Sequence, residues 1–462
     1  MSRHHTLVAL VPVLLVGCGR VPMPSGGPPA VVASAARYPL RADLLAVGNL
    51  GAPPRWNSPG FIPLKSVQVA PRTPDIEFVS ALKPLLGKEV FDPGVSLNPT
   101  QRDDLSQLLD AAFGSPAKPA VKLPGKDDLA KLKLEEFFAA GNAKGVTPKQ
   151  ATAEAAAEAE RAWKHLKLDD ATLARGAGHY RRWCIHCHGE SGAGDGAQAA
   201  QSGSYPRDYR QGIFKFVSAA PTSAAPKRGE RGKPRVGDLK KTIRNGLDGS
   251  IMPGFPTLTE GELDDLIAYV AHLSVRGEAE FETMAKAMKP GDDDPDFVGK
   301  DLERLFAAKQ LSVLANWWKA EESPIPIPPE NCANDGDRLR SAVRGWKGFN
   351  DAGCAGCHAN YGRDPQFKYD LWGTVVVPRN LTLGVYRGGR DGPALYARLY
   401  GGIYPSGMNE HKQLLAGSAP SAGNPDKIWD IVHFLQALSD PTARQKLREQ
   451  TVYKDIQVKI DP

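Results

Sequence analysis

Cysteine and methionine are scarce in this chain, with six of each among 462 residues. So few cysteines exclude a disulfide-stapled scaffold of the small secreted kind. Beyond the N-terminal end no segment is long and apolar enough to span a bilayer, which excludes a polytopic membrane fold. A strong charge of one sign is also missing. Lys and Arg number 58 against 52 Asp and Glu, a formal net charge of +6. No basic stripe is present, so nucleic acid is not an expected partner. Aromatics make up 8% of the chain, while 47 Gly and 39 Pro point to loop-rich small domains built around a cofactor. The length suits two or three such domains.

Four of the few cysteines fall in two CxxCH pentads, Cys184-Ile185-His186-Cys187-His188 and Cys354-Ala355-Gly356-Cys357-His358. Each supplies two thiols for thioether bonds to haem vinyl groups, followed by a His that can ligate the iron axially. Chance predicts roughly 0.002 such pentads in this composition. A zinc knuckle or a redox CxxC would leave the trailing His unexplained twice. The expected cofactors are therefore two covalently attached haem c groups, with His188 and His358 as iron ligands. His186, between two attachment cysteines, is expected to point outward.

Residues 1–17 read as a signal peptide, with basic Arg3 followed by the apolar run from Leu7 to Val16. The sequence Leu15-Val16-Gly17-Cys18 resembles a bacterial lipoprotein lipobox. That resemblance implies cleavage before Cys18, lipidation of Cys18 and anchoring on a membrane. With lipid on Cys18 and haem on four others, Cys332 is left over, and no intrachain disulfide is available. Cys332 is expected to be a buried or inert thiol, with intermolecular pairing as an alternative that nothing in the sequence supports.

Residues 18–74 are Pro-, Gly- and Ala-rich and read as a lipidated tether and irregular segment. Residues 75–168 carry helical signals at Asn98-Pro99-Thr100 and in the capping box Thr147-Pro148-Lys149-Gln150, but no assigned role. Residues 169–275 and 335–440 form an internal repeat. Leu239-x3-Ile243-x2-Gly246-x5-Met252 matches Leu395-x3-Leu399-x2-Gly402-x5-Met408 without a gap. Each copy closes with an amphipathic helix, from Leu263 to Ser274 behind a Thr259/Glu262 capping box, and from Ile428 to Ser439. Between the copies, 276–334 is expected to hold helices at Phe281–Lys289 and Leu302–Trp318. The segment Pro324-Ile325-Pro326-Ile327-Pro328-Pro329 follows as a stiff spacer. Residues 441–462 form a tail.

Gly176, Tyr180 and Tyr269 in one copy, and Gly345, Phe349 and Phe434 in the other, resemble the class I cytochrome c pattern. In that family the first and last helices of a domain cross at a small residue flanked by aromatics. The resemblance covers about 210 residues and implies an all-α fold. It consists of two tandem cytochrome c-like haem domains behind a mostly helical and irregular N-terminal segment. One extra residue separates Phe349 from Cys354 in the second copy.

The resemblance also implies distal and supporting groups. Met252, in Ser250-Ile251-Met252-Pro253-Gly254-Phe255, looks like the family's distal ligand, and Met408 is its repeat equivalent. Thioether sulfur favours reduced iron, which raises the potential relative to paired His ligation. Met408 lacks the following Pro, and His411 lies close enough to compete. Pro206 and Pro378 are candidates to accept the ring N–H of the ligating His through their carbonyls. Arg207 and Arg379 are candidates to pair with haem propionates. His272 and His433 in the closing helices read as packing or surface residues, and Met284 with Met288 as packing. The run from Gly189 to Gly196 lacks the Lys and strand context of a phosphate loop, and reads as backbone wrapped around haem.

The function these features imply is a lipid-anchored di-haem cytochrome c that relays single electrons on the extracytoplasmic, periplasmic face of a membrane. Expected partners are a quinol-oxidising complex, a small cytochrome or copper protein, and a terminal oxidase. Lipoprotein haem subunits of alternative complex III are similar in kind. The alternatives are a di-haem peroxidase and the cytochrome subunit of a dehydrogenase or quinol-oxidising complex. A third has the haems serving an attached enzyme, with residues 75–168 as a docking module.

Overall fold

The computed structural model describes residues 37–41, 45–46, 90–91, 97–138, 145–201, 206–220, 232–287, 298–330, 332–365, 368–369, 375–404, 406–415 and 426–450. All belong to one unit, Ala35–Pro462. The signal segment, Cys18, Met288, the Asn424-Pro425 start signal and the end of the tail lie outside the described residues.

The fold is all-α, as the sequence implies. The principal helices are α1 (Pro99–Phe113), α2 (Pro148–His165), α3 (Asp170–Trp183), α4 (Val236–Asn245), α5 (Glu260–Ala287), α6 (Gly299–Glu322), α7 (Asp335–Asp351), α8 (Gly392–Gly401), α9 (Lys427–Ser439) and α10 (Pro441–Glu449). Among the described residues, strands are two-residue segments, most of them in antiparallel pairs such as Gly114–Ser115 with Lys118–Pro119. No helix is long and apolar enough to cross a membrane among those residues.

Local chemistry sets the helix starts. Asn98 and Gln101 form a reciprocal capping box with Pro99 in the first turn, and Thr147 with Gln150 repeats it before α2. Thr259 and Glu262 bond each other's main chain at the start of α5. Asp169, Asn334, Asp391, Asp426 and Asp440 cap α3, α7, α8, α9 and α10. Each side-chain oxygen satisfies a main-chain N–H that the helix itself cannot.

Two crossings organise the molecule. A Cβ on Gly176 of α3 would collide with the Asp265 carbonyl of α5, and one on Gly345 of α7 with the Asp430 carbonyl of α9. Only glycine allows the backbones this close. Beside the first crossing Tyr180 and Tyr269 stand with ring centroids 5.2 Å apart, and beside the second Phe349 and Phe434 stand 5.4 Å apart. The extra residue of the second copy is taken up in the Ala352-Gly353 turn between α7 and Cys354.

Helix α5 departs from the expected end at Ser274 and from a separate helix beginning at Phe281, since it runs unbroken to Ala287. Arg276, Glu278 and Glu280 interrupt the apolar pattern, yet each is buried with a partner. Arg276 meets Glu280 at 3.1 Å, and Lys233 meets Glu278 at 2.6 Å. Paired in this way, charges can stay inside a core that would reject them singly.

The extension gives the region of no assigned role a place. Leu105, Leu109 and Phe113 of α1, Ala159 and Ala162 of α2, and Leu302, Phe306 and Leu311 of α6 share one continuous core with Leu173 of α3 and Leu266 and Tyr269 of α5. Phe113 stands edge-on to both His272 and Phe306. The described part of 75–168 is thus packed into the first haem-type domain. A second core gathers Ala342 and Phe349 with Leu381, Leu395, Tyr396, Ile431, Phe434 and Leu447. The Pro-rich spacer joins the two. Ala219 pairs antiparallel with Pro324, and the Trp429 indole N–H donates to the Pro328 carbonyl at 3.0 Å.

Candidate haem sites

The first pentad is a single tight turn directly after α3. Main-chain N–H groups of Cys187 and His188 both donate to the Cys184 carbonyl, at 3.2 and 2.9 Å. The second pentad is a 3-10 turn that shares the first of these bonds, Cys357 N–H donating to the Cys354 carbonyl at 3.2 Å. All four cysteines are free of disulfides. Burial pushes the Cys184 thiol up to about 12 and the Cys354 thiol up to about 11. Surroundings that keep a thiol neutral suit an uncharged thioether better than the thiolate a zinc site requires.

His188 is buried and stacks on Tyr209, with ring centroids 4.6 Å apart and planes 20° from parallel. Burial lowers its pKa to about 4, so the ring is neutral at ordinary pH, as an iron ligand must be. Its Nδ1 lies 3.2 Å from the Arg207 carbonyl, and His358 Nδ1 lies 3.2 Å from the Arg379 carbonyl. The expectation for Pro206 and Pro378 is therefore corrected by one residue in both copies. In the first copy the Pro206 carbonyl is turned against Gly194. It is the next carbonyl that meets the ring. The physical role is unchanged: a main-chain acceptor fixes the tautomer and leaves Nε2 as the nitrogen for a metal.

The two methionines occupy copies of one turn. In the first, Leu247 N–H donates to the Met252 carbonyl at 3.1 Å, and the Ser250 hydroxyl donates to the Leu247 carbonyl at 2.7 Å. In the second, Ile403 N–H donates to the Met408 carbonyl at 2.9 Å, and the Ser406 hydroxyl to the Ile403 carbonyl at 2.6 Å. The match continues past the turn, where Phe255 bonds Ile243 and His411 bonds Leu399 through the main chain, at 3.0 and 2.9 Å. His411 thus takes the register of Phe255, three residues beyond that of Met252.

Sequence reasoning missed three groups. Tyr209, against the His188 ring, carries no motif. Arg175–Asp265 and Arg344–Asp430 are two-pronged ion pairs at each helix crossing. These pairs were recoverable from the repeat, because each Arg precedes the crossing glycine and each Asp stands four residues before the closing aromatic.

Arg379 does not stand apart from the first domain. Its guanidinium donates to the Gly249 carbonyl at 2.5 Å and the Asp248 carbonyl at 3.4 Å. Of the packing and surface readings for His272 and His433, the structure gives packing, since both are buried. Cys332, Glu330 and His433 bring possible metal-ligating atoms within 4.8 Å of one another. Both ring nitrogens of His433 are already engaged, Nδ1 by Ser341 at 2.7 Å and Nε2 by Glu330 at 3.1 Å. Burial raises the Cys332 thiol, consistent with an unreactive residue.

Comparison with known proteins gives one family match. Residues 171–270 match the family described as cytochrome c oxidase, cbb3-type, subunit III. No curated protein matches the chain. Among solved structures, the reducing HAO-like protein complex of Kuenenia stuttgartiensis is similar at 20% identity, with a TM-score of 0.39, over 58% of this chain and 96% of that one. The chain carries a cytochrome c domain, which implies covalently bound haem c and an electron-transfer haem protein. The neutral thiols, the buried His188 and its carbonyl-held Nδ1 fit that group.

Proposed function

We propose that the chain is a di-haem cytochrome c, lipid-anchored through Cys18 on the extracytoplasmic side, that relays single electrons between respiratory partners. One observation carries the reading. The set of pentad, carbonyl-held His and Met-bearing turn occurs twice, at matching positions of the repeat. Haem c, when bound, supplies a one-electron iron couple at each site. The residues around it do the rest. Cys184, Cys187, Cys354 and Cys357 hold the macrocycles in place, and the Arg207 and Arg379 carbonyls orient the proximal rings. Met252 and Met408 close the distal sides, so that charge passes while small molecules stay out. Partners of matching chemistry are a quinol-oxidising complex, a small cytochrome or copper protein, and a terminal oxidase, docked through small and weak contacts.

A redox titration of the purified protein, followed by absorption, tests the proposal. Two high-potential centres that refuse carbon monoxide support the relay; one haem per chain, or ready binding of carbon monoxide, defeats it.

The enzyme reading retains one supporting observation. The His411 ring is half-buried, with a buried Nδ1 that finds no hydrogen-bond partner among the described residues. A ring near the second distal side could act as a ligand or as an acid/base group. Peroxide turnover that is lost in His411→Ala would favour it.

A further inference from the structure

Arg379 lies at a junction that the separate description of each site does not capture. Its carbonyl accepts from the proximal ring of the second site, His358 Nδ1 at 3.2 Å. Its side chain leaves that domain and donates to Gly249 O at 2.5 Å and Asp248 O at 3.4 Å. Those two carbonyls belong to the six-residue turn Leu247–Met252, which presents Met252. The turn is short and internally bonded: Ser250 N–H and hydroxyl both donate to Leu247 O, and Met252 N–H donates back to the Ser250 hydroxyl at 3.2 Å. A force on Gly249 O is therefore felt at Met252.

Other contacts press on the same place. Arg387 donates to Gly249 O at 3.4 Å, and Lys241 pairs with Asp391 at 3.1 Å across the same boundary. Gly249 has φ +66, and a Cβ there would stand 2.7 Å from Arg379 Nη2 and 2.9 Å from a Val385 methyl. The turn is seated in a socket made by the second domain.

We propose that Arg379 is a positioning residue for the first haem, locking the Met252 turn shut from the second haem domain. The proposal rests on the di-haem reading above. One guanidinium nitrogen, Nη2, faces both carbonyls, a charge-assisted contact centred on Gly249 O that an uncharged side chain cannot reproduce. The closure of one iron thus depends on the docking of the other domain.

The test uses full-length holoprotein and imidazole as a probe of iron sites that open. Haem content and the methionine-to-iron charge-transfer band of the unsubstituted protein come first. Fewer than two haems defeats the di-haem reading itself, and no band from the first site removes the Met252 ligation on which the lock depends. With both present, Arg379→Gln is expected to raise the imidazole affinity of the first haem about tenfold or more, the scale of one lost hydrogen bond from a charged donor. A Met408→Ala background retains the rise, and a Met252→Ala background abolishes it. Arg379→Lys should open the site only partly. Gly249→Ala, which acts from the turn's own side, should produce the same opening with Arg379 intact. If Arg379→Gln alters only the second haem, the side chain serves a propionate there and the lock does not exist. An unchanged first haem in both Arg379→Gln and Gly249→Ala overturns the proposal equally.

Discussion

Arg344 grips Asp430 with two nitrogens of one guanidinium edge, Nε at 3.0 Å from Oδ2 and Nη2 at 2.7 Å from Oδ1. Arg175 holds Asp265 in the same way at the other crossing, at 2.8 Å on both sides. Each carboxylate is mostly buried beside a glycine that permits two helices to touch. The pair therefore staples the crossing where the aromatic rings need it.

Arg344→Ala leaves the Asp430 carboxylate with only Ser341 as a side-chain donor among the described contacts. A loss of about 1–3 kcal/mol is expected from a buried acceptor that keeps its charge and loses its fork. Gly345→Ala should cost at least as much, because the helices must separate. Thermal melts monitored at the haem absorption would check both, and a melting point unchanged in Gly345→Ala would refute the crossing argument.

Removing one pentad should remove one haem. Cys184→Ala with Cys187→Ala, and separately Cys354→Ala with Cys357→Ala, should each halve the pyridine haemochrome signal per chain. The mass of the intact protein should fall by one haem in each case. A signal left whole by either double substitution would show that its pentad carries no haem.

Met252→Ala and Met408→Ala should each remove about half of the methionine-to-iron charge-transfer band, while His411→Ala leaves it whole. A band indifferent to Met408→Ala, with a spectrum that changes in His411→Ala, would give the second iron to His411.

His272 is buried and held neutral, its pKa pushed down to about 3 by burial and then by Arg276. Its Nε2 faces the Tyr38 hydroxyl at 3.3 Å, and the Phe113 and Tyr269 rings flank it. An unfolded chain protonates this ring near pH 6.5, whereas the folded one does not until about pH 3. Its contribution to stability is thus complete above about pH 6.5 and is lost as pH falls through that window, by up to ~1.4 kcal/mol per unit. Between about pH 6.5 and pH 5 the protein should lose ~2 kcal/mol more than a His272→Phe variant does. Denaturant unfolding at the two pH values measures the difference; equal losses would mean that the ring is protonated in the fold.

Much of this was legible in the sequence because the signals are local. Asn98, Thr147 and Thr259 announce helix starts through contacts three residues away, and the pentads announce haem through spacing alone. The repeat register fixed Met408 against Met252, and the structure gives both the same turn. What stayed hidden depends on distant partners. Helix α5 outruns its apolar pattern because Lys233, 45 residues away, neutralises Glu278. Residues 97–138 and 145–168 announce only their helix starts because their work is packing, α1 against α5 and α6 and α2 against α6, and an apolar face does not name what it covers. The ring acceptor fell one residue late because the direction of a carbonyl after proline is set by tertiary packing and not by residue type.

The proline strap is pegged at both ends, to Ala219 in the first lobe and to Trp429 in the second. With the two lobes held at a set separation, exchange between the two haems of the proposed relay has no diffusional search to make. Internal transfer should therefore be first order, the same in dilute and concentrated protein and in thin and viscous solvent, and governed only by the gap and the driving force.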